Sequence, residues 1–232
     1  MKGPLRRFRR SKFFFRVKKR IVEPVKRRFD SPYKLHLGCG KIKLDGWVNV
    51  DLDSELADVD IVWDLSMGIP VDDATCSFIF CEHLIEHFTS EQGAFFLSEC
   101  NRVLSAEGVL RIATPSLDHI IDEICRGNWR AQDWLSQPEY HFIQTRAEML
   151  NIVFRWWGHQ WLYDREELHR RLREAGFTTI EDVEWGMSNH DQLRNLESRS
   201  DSLLICEARK NKGNGTSESD IAGYVRTKLR GL

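Results

Sequence analysis

The chain has 232 residues, enough for one α/β domain with arms and too few for two full domains. Hydrophobic residues at 41% and charged residues at 30% exclude a chain that is disordered throughout or built around membrane spans. The net charge of -1 conceals an asymmetry: residues 1–30 hold thirteen Lys or Arg against only Glu23 and Asp30, which leaves the remainder acidic.

The basic arm, 1–30, intersperses Leu5, Phe8, Phe14, Val17 and Ile21 among its cations before Pro24 breaks any helix. An amphipathic basic helix gains about 1 kcal/mol per Lys or Arg lying near anionic lipid. The expected partner is therefore an anionic membrane, met peripherally, with a solvated tail as the plain alternative. The apolar run at 13–15 is too short for a signal-peptide core or a membrane helix, and a single Ser in the arm argues against a transit peptide. Six cysteines (39, 76, 81, 100, 125 and 206) form no C-x-x-C pair, so free thiols in a reducing compartment are expected. These features predict a cytoplasmic protein, peripheral at the inner membrane surface. Nucleic acid is not an expected partner, because the body is acidic and carries no base-reading motif.

Residues 33–37 read as a short buried strand and 47–50 as a second. "DVDIVWDL", 58–65, gives a third before the Gly68-Ile69-Pro70 turn, and "SFIFC", 77–81, a fourth. From Ser90 the period becomes helical through Phe96, Cys100, Val103 and Leu104, with Glu107-Gly108 as the close before the strand "VLRIA" at 109–113. Residues 119–163 fit no strand–helix alternation and carry five of the eight tryptophans. Asp164 can cap a helix bearing Leu168, Leu172 and Ala175 on one face, with Glu167 at the capping-box position and Gly176 as the stop. Strands around 178–185 and 202–208 follow, then a polar, Gly/Ser-rich tail from Asn211 that is expected to be disordered. The organisation is an arm (1–30), one domain (31–210) containing an aromatic insert (119–163), and a tail (211–232). Alternating strands and helices predict a Rossmann-like, doubly wound, mostly parallel α/β sheet.

"KLHLGCGKIKLDGWVNVDLD", 34–53, places a glycine turn at the end of the first strand and an acid at the end of the second, the crevice of an open α/β sheet. A dinucleotide needs G-x-G-x-x-G, but Lys43 stands where the third glycine belongs, so NAD is disfavoured. An adenosine cofactor without phosphates needs only close backbone at Gly38 and Gly40 and a carboxylate, Asp51, for the ribose hydroxyls. S-adenosylmethionine meets that description. Only 38–46 separate the two strands, less than the about 10–12 residues of a helical crossover, so the first helix is expected to shrink to a turn. Its dipole is then not available for the cofactor carboxylate, a role Lys41 or Lys43 would have to take.

"EHLIEH", 82–87, sets His83 and His87 one helical turn apart. The string H-x-x-E-H is also the inverted zinc-peptidase pattern, which makes a zinc-dependent hydrolase using His83, Glu86 and His87 the rival reading; no third ligand stands out, and no metal is assigned. A SAM-binding partner subunit without activity is a further alternative. Otherwise Glu86 and His87 read as ties at a helix start.

The ordered set "LHLGCG", "GWVNVDLD", "DIVWDL", "FIFCEHLIEHF", "RVLSAEGVLRIATPSLD" and "LHRRLREAGF" resembles class I SAM-dependent methyltransferases of the methyltransferase type 11 group, most of all small bacterial members found with sugar and polysaccharide genes. The resemblance covers about residues 33–209. It implies that Leu37, Gly38, Cys39 and Gly40 lie against the methionine part of the cofactor. Asp51 with Leu52 would hold the ribose, Asp64 with Leu65 the adenine, and Cys81 with Glu82 would line the sulfonium. The reaction it implies is methylation of an acceptor hydroxyl on a sugar or a polysaccharide- or lipid-linked glycan. A histidine would accept the proton: His83 first, because it follows the strand end facing the methyl group, then His159 and His190 from loops. Trp129, Trp134, Trp156, Trp157, Trp161, Tyr140 and Phe154 would build the acceptor side, about half of them filling a satellite core, with 158–164 supplying acceptor contacts.

Overall fold

A computed structural model describes residues 28–56 and 59–210. All but the last three residues of the basic arm expected over 1–30, and the disordered tail expected from 211, lie outside the described residues. One sheet contains seven strands: β1 (Tyr33–Leu37), β2 (Val48–Asp51), β3 (Ile61–Val62), β4 (Cys76–Glu82), β5 (Leu104–Thr114), β6 (Thr179–Asp182) and β7 (Leu204–Arg209). Their order is β3-β2-β1-β4-β5-β7-β6. The first five run parallel, while β7 is antiparallel to both β5 and β6. This is a Rossmann-like, doubly wound, mostly parallel α/β sheet.

Burial follows from the strand sequences. β1, β4 and β5 are buried along most of their length, as strands covered on both faces must be, and they take the centre of the sheet. Helices α1 (Ser90–Val103), α2 (Leu117–Arg126), α3 (Arg146–Arg155) and α4 (Arg165–Glu174) surround it. Thr89 and Gln92 form a capping box at α1, which presents Phe96, Leu97, Cys100 and Val103 to the main core. Asp164 caps α4, whose Leu168 and Leu172 join the same core, and Gly176 follows at φ 95°. The opposite face, with Phe80, Val109, Ala113 and Ile205, is covered by Trp47 and Leu193 from connecting segments.

The expected loss of the first helix is observed, whereas three other elements differ from the sequence expectations. The first crossover contains no helix, as its length requires, and a buried side chain closes it: Asn49 accepts from Leu44 N, and its amide donates to Leu44 O, Trp47 O and Asp60. The third strand shrinks to two residues because Asp64 caps a 3-10 turn over Leu65–Met67. Helix α1 stops at Val103 rather than at Glu107-Gly108. Gly108 lies inside β5, where an added Cβ would fall 2.9 Å from Cys76 O, so this glycine lets two strands pass closely. The insert is more regular than expected: α2 and α3 fall within it and form a second core with Trp129, Ile143 and Met149.

Candidate active site

The chain runs outward from β1 to β3 and then returns to β4 on the other side of β1, so the switch point lies between the carboxyl ends of β1 and β4. Two segments leave the sheet there: the glycine turn after β1 and the histidine segment after β4.

In the glycine turn, Gly38 and Cys39 both donate to Val50 O, and Gly40 N donates to Asp51 Oδ2 at 2.8 Å. Gly38 and Gly40 adopt φ of 68° and 54°, values that favour glycine. Their surroundings differ. A Cβ on Gly38 would fall 2.9 Å from Leu84 Cδ1, whereas one on Gly40 would meet nothing within 4 Å. The Cβ side of Gly38 is therefore filled by Leu84, whereas that of Gly40 is open. Asp51 also accepts from Asp53 N through Oδ1, so each carboxylate oxygen retains capacity for a vicinal diol. Leu52, 67% exposed, sits beside it as an apolar surface. Asp64 is exposed, with Oδ1 accepting from Ser66 N.

Side chains of four residues expected at the cofactor are engaged elsewhere. Leu37, Leu65 and Cys81 belong to the main core, so only their main chain is available; burial drives the Cys81 thiol well above its ordinary value. The Glu82 carboxylate accepts from Ser198 N and Oγ, Arg199 N and Ser202 Oγ, and thereby docks the segment 198–202. Cys39 is also buried, with its thiol raised to about 12 by burial and by the nearby Asp51.

After β4 the chain does not form the helix that the inverted zinc-peptidase pattern needs. His83 adopts φ 49°, and only Ile85–His87 make a 3-10 turn. His83 and His87 consequently do not stand one helical turn apart. His83 Nδ1 lies 3.3 Å from Glu86 Oε1, and Nε2 lies 3.5 Å from Asp201 Oδ1. Burial pushes His83 down to about 3 and raises Glu86, fully buried, to about 7. The main chain of 86–87 is a tie, though to a loop rather than to a helix: Gln160 N and Trp161 N donate to Glu86 O, and Gln160 Nε2 donates to His87 O.

Beside this turn is a cavity of about 650 Å³ lined by His83, His87, His159, Trp134, Tyr140, Trp157 and polar groups including Gln132, Arg199 and Asp201. The three large rings meet edge to face at 5.1–5.8 Å, and Trp157 Nε1 donates to Tyr140 Oη. His159 reaches the cavity from its loop, while burial lowers both it and His87. His190 does not belong there: its ring packs edge-on to Phe78, near the start of β4 and away from the carboxyl edge. Of the expected aromatic wall, Trp129 fills the second core with Trp134 and Trp157 at its edge, whereas Trp156 and Trp161 are exposed. Arg199 and Asp201 were invisible in a polar loop sequence. The signal that could have found them is Glu82, an acid ending a buried strand, which requires donors from somewhere distant.

Residues 35–112 match a family model described as a methyltransferase domain. No curated protein matches the chain. Among solved structures, a SAM-dependent methyltransferase of Thermotoga maritima is similar at 16% identity and TM-score 0.48, over 84% of this chain and 89% of that one. A SAM-dependent methyltransferase of Archaeoglobus fulgidus is similar at 15% identity and TM-score 0.44, over 95% and 92%. The family match supports S-adenosylmethionine as the cofactor and methyl transfer as the reaction class.

Proposed function

We propose that the protein transfers a methyl group from S-adenosylmethionine to an acceptor hydroxyl on a sugar or a polysaccharide- or lipid-linked glycan. The observation that carries this reading is the cavity beside the post-β4 turn, where Trp134, Tyr140 and Trp157 offer flat apolar faces to sugar C–H groups. Gln132, Arg199 and Asp201 offer hydroxyl partners around them. The cofactor supplies a methyl group on a positively charged sulfur. This chain supplies the open main chain at Gly40, the Asp51 carboxylate for the ribose diol and an apolar surface at Leu52. Burial keeps His83, His87 and His159 uncharged at neutral pH, so none of them repels the sulfonium. With a value near 3, His83 takes a proton poorly and is better suited to placing the acceptor. Holding the two reactants in line is worth up to roughly 7–11 kcal/mol of barrier.

The cations of residues 1–30 support peripheral contact with the inner, anionic membrane surface, where a lipid-linked acceptor would be met from the cytoplasm. Among the described residues no helix is long and apolar enough to cross a membrane. Removal of residues 1–30 is expected to abolish sedimentation with anionic liposomes; equal sedimentation of both forms removes this part of the proposal.

S-adenosylhomocysteine is the direct probe of the cofactor site. Calorimetry is expected to show one binding site, weakened more than about 10-fold by Asp51→Ala, since two charge-assisted hydrogen bonds disappear. Undiminished binding by that variant defeats the site. Binding without labelled-methyl transfer to any glycan extract would identify a SAM-binding subunit instead of an enzyme.

A further inference from the structure

We propose that Glu86, His87 and His159 form a binding site for a divalent first-row transition metal of the zinc class, at the wall of the acceptor cavity. One ligand atom from each residue lies within 4.8 Å of the other two. Donors on one tetrahedral metal at about 2.0–2.2 Å are separated by about 3.3–3.6 Å, so the three ligand atoms close on a metal by drawing together by at most about 1.5 Å. The set is unusual because the two histidines come from separate parts of the chain, 72 residues apart, while Glu86 is adjacent to one of them.

Two independent observations point to a missing cation. Glu86 is fully buried, and its Oε1 makes no hydrogen bond although His83 Nδ1 is 3.3 Å away. No Lys or Arg pairs with this carboxylate in any ion pair among the described residues, whereas buried carboxylates ordinarily are paired or hold metals. The second observation is that the ligands are already oriented as metal ligands are. Thr114 Oγ1 donates to Glu86 Oε2 at 2.9 Å and leaves Oε1 for the metal. His159 Nδ1 lies 2.7 Å from Val153 O, which fixes the proton on Nδ1 and presents the Nε2 lone pair. The His87 and His159 rings lie edge to face with centroids 5.0 Å apart.

Two imidazoles and one carboxylate suit zinc, cobalt or manganese and do not suit magnesium or calcium, which take oxygen ligands. Three protein ligands leave at least one position open, as sites that engage an exogenous ligand do. His87 and His159 line the cavity, so that ligand would be an oxygen of the bound acceptor; this last role rests on the methyl-transfer reading, whereas the metal site does not.

The test uses full-length protein stripped with EDTA and titrated by calorimetry with ZnCl2, CoCl2 and MgCl2, with S-adenosylhomocysteine titrated into the same preparations. One equivalent of zinc and cobalt is expected to bind, magnesium far more weakly, and the cobalt form is expected to show visible absorption from imidazole ligation. Glu86→Gln, His87→Asn and His159→Asn should each weaken zinc more than about 10-fold while S-adenosylhomocysteine binding and melting temperature certify the fold. Absence of zinc binding by the folded wild type overturns the site, as does unchanged binding by those variants that fold, or magnesium binding as tightly as zinc. Failure of the cofactor titration alone overturns methyl transfer and leaves the metal site standing.

Discussion

At the scale of single residues, the least expected group is Arg111. It occupies the interior of β5 with no exposure, donating to Glu197 at 2.5 Å, to Glu207 at 2.6 Å and to Met187 O at 2.8 Å. Glu197 in turn accepts from Gly186 N, so one guanidinium ties β5, β7 and the 186–197 loop together. The string "VLRIA" gives no hint of this, because an arginine in an apolar strand reads equally well as an edge position facing water. Removing the cation strands two buried carboxylates. Arg111→Met is therefore expected to lower unfolding free energy by about 3–5 kcal/mol in urea titration, with Glu197→Gln and Glu207→Gln added together recovering part of the loss. A loss under about 1 kcal/mol would show that solvent reaches the pair. Asn49 plays the same kind of part with an uncharged side chain. Its side-chain hydrogen bonds with Leu44, Trp47 and Asp60 explain how a connection too short for a helix is held shut.

At the scale of elements, α1 shows how a helix is fixed to its sheet by one small residue. Gly93 faces Tyr163, and a Cβ placed there would stand 2.5 Å from the phenolic oxygen. Tyr163 is itself buried in the main core, and its segment bridges back to Ser116. Gly93→Ala should thus lower stability despite alanine's better helix propensity, by about 1–3 kcal/mol of overpacking against roughly 1 kcal/mol of propensity gained. A melting temperature raised by this substitution would show that Tyr163 yields freely. The capping signal at Asp164 was readable because it is local, needing only an oxygen and the amide three residues on. The end of α1 was not readable, because Gly108 answers to the passage of Cys76 on another strand.

At the scale of the whole molecule, burial of imidazoles sets the pH response. His36, His83, His87 and His159 are all held below the ordinary 6.5 by desolvation, His83 at about 3. Below about pH 6.5 the unfolded chain binds protons that the folded chain refuses, so stability present above that value is lost as the pH falls toward 3. Glu86, raised to about 7 from 4.5, acts in the opposite sense, losing stability as the pH rises between those values. Four imidazoles outweigh one carboxyl. The melting temperature is expected to fall by about 5 °C or more between pH 7 and pH 5; a rise over that interval would mean that these rings are wet in solution.

What the sequence determined by itself was whatever depends on neighbours along the chain. Strand and helix periods, the Asp164 cap, the glycine turn facing Asp51 and the loss of the first helix all follow from spacing and backbone chemistry within about a dozen residues. Only the tertiary structure decided which side chains face the site. Leu84 fills the Cβ side of Gly38, Glu82 holds 198–202, His190 packs on Phe78, and His159 arrives beside Glu86 and His87. Each of these pairings joins segments distant in sequence, or fixes a side-chain direction through packing, and neither leaves a periodic trace in the residues themselves.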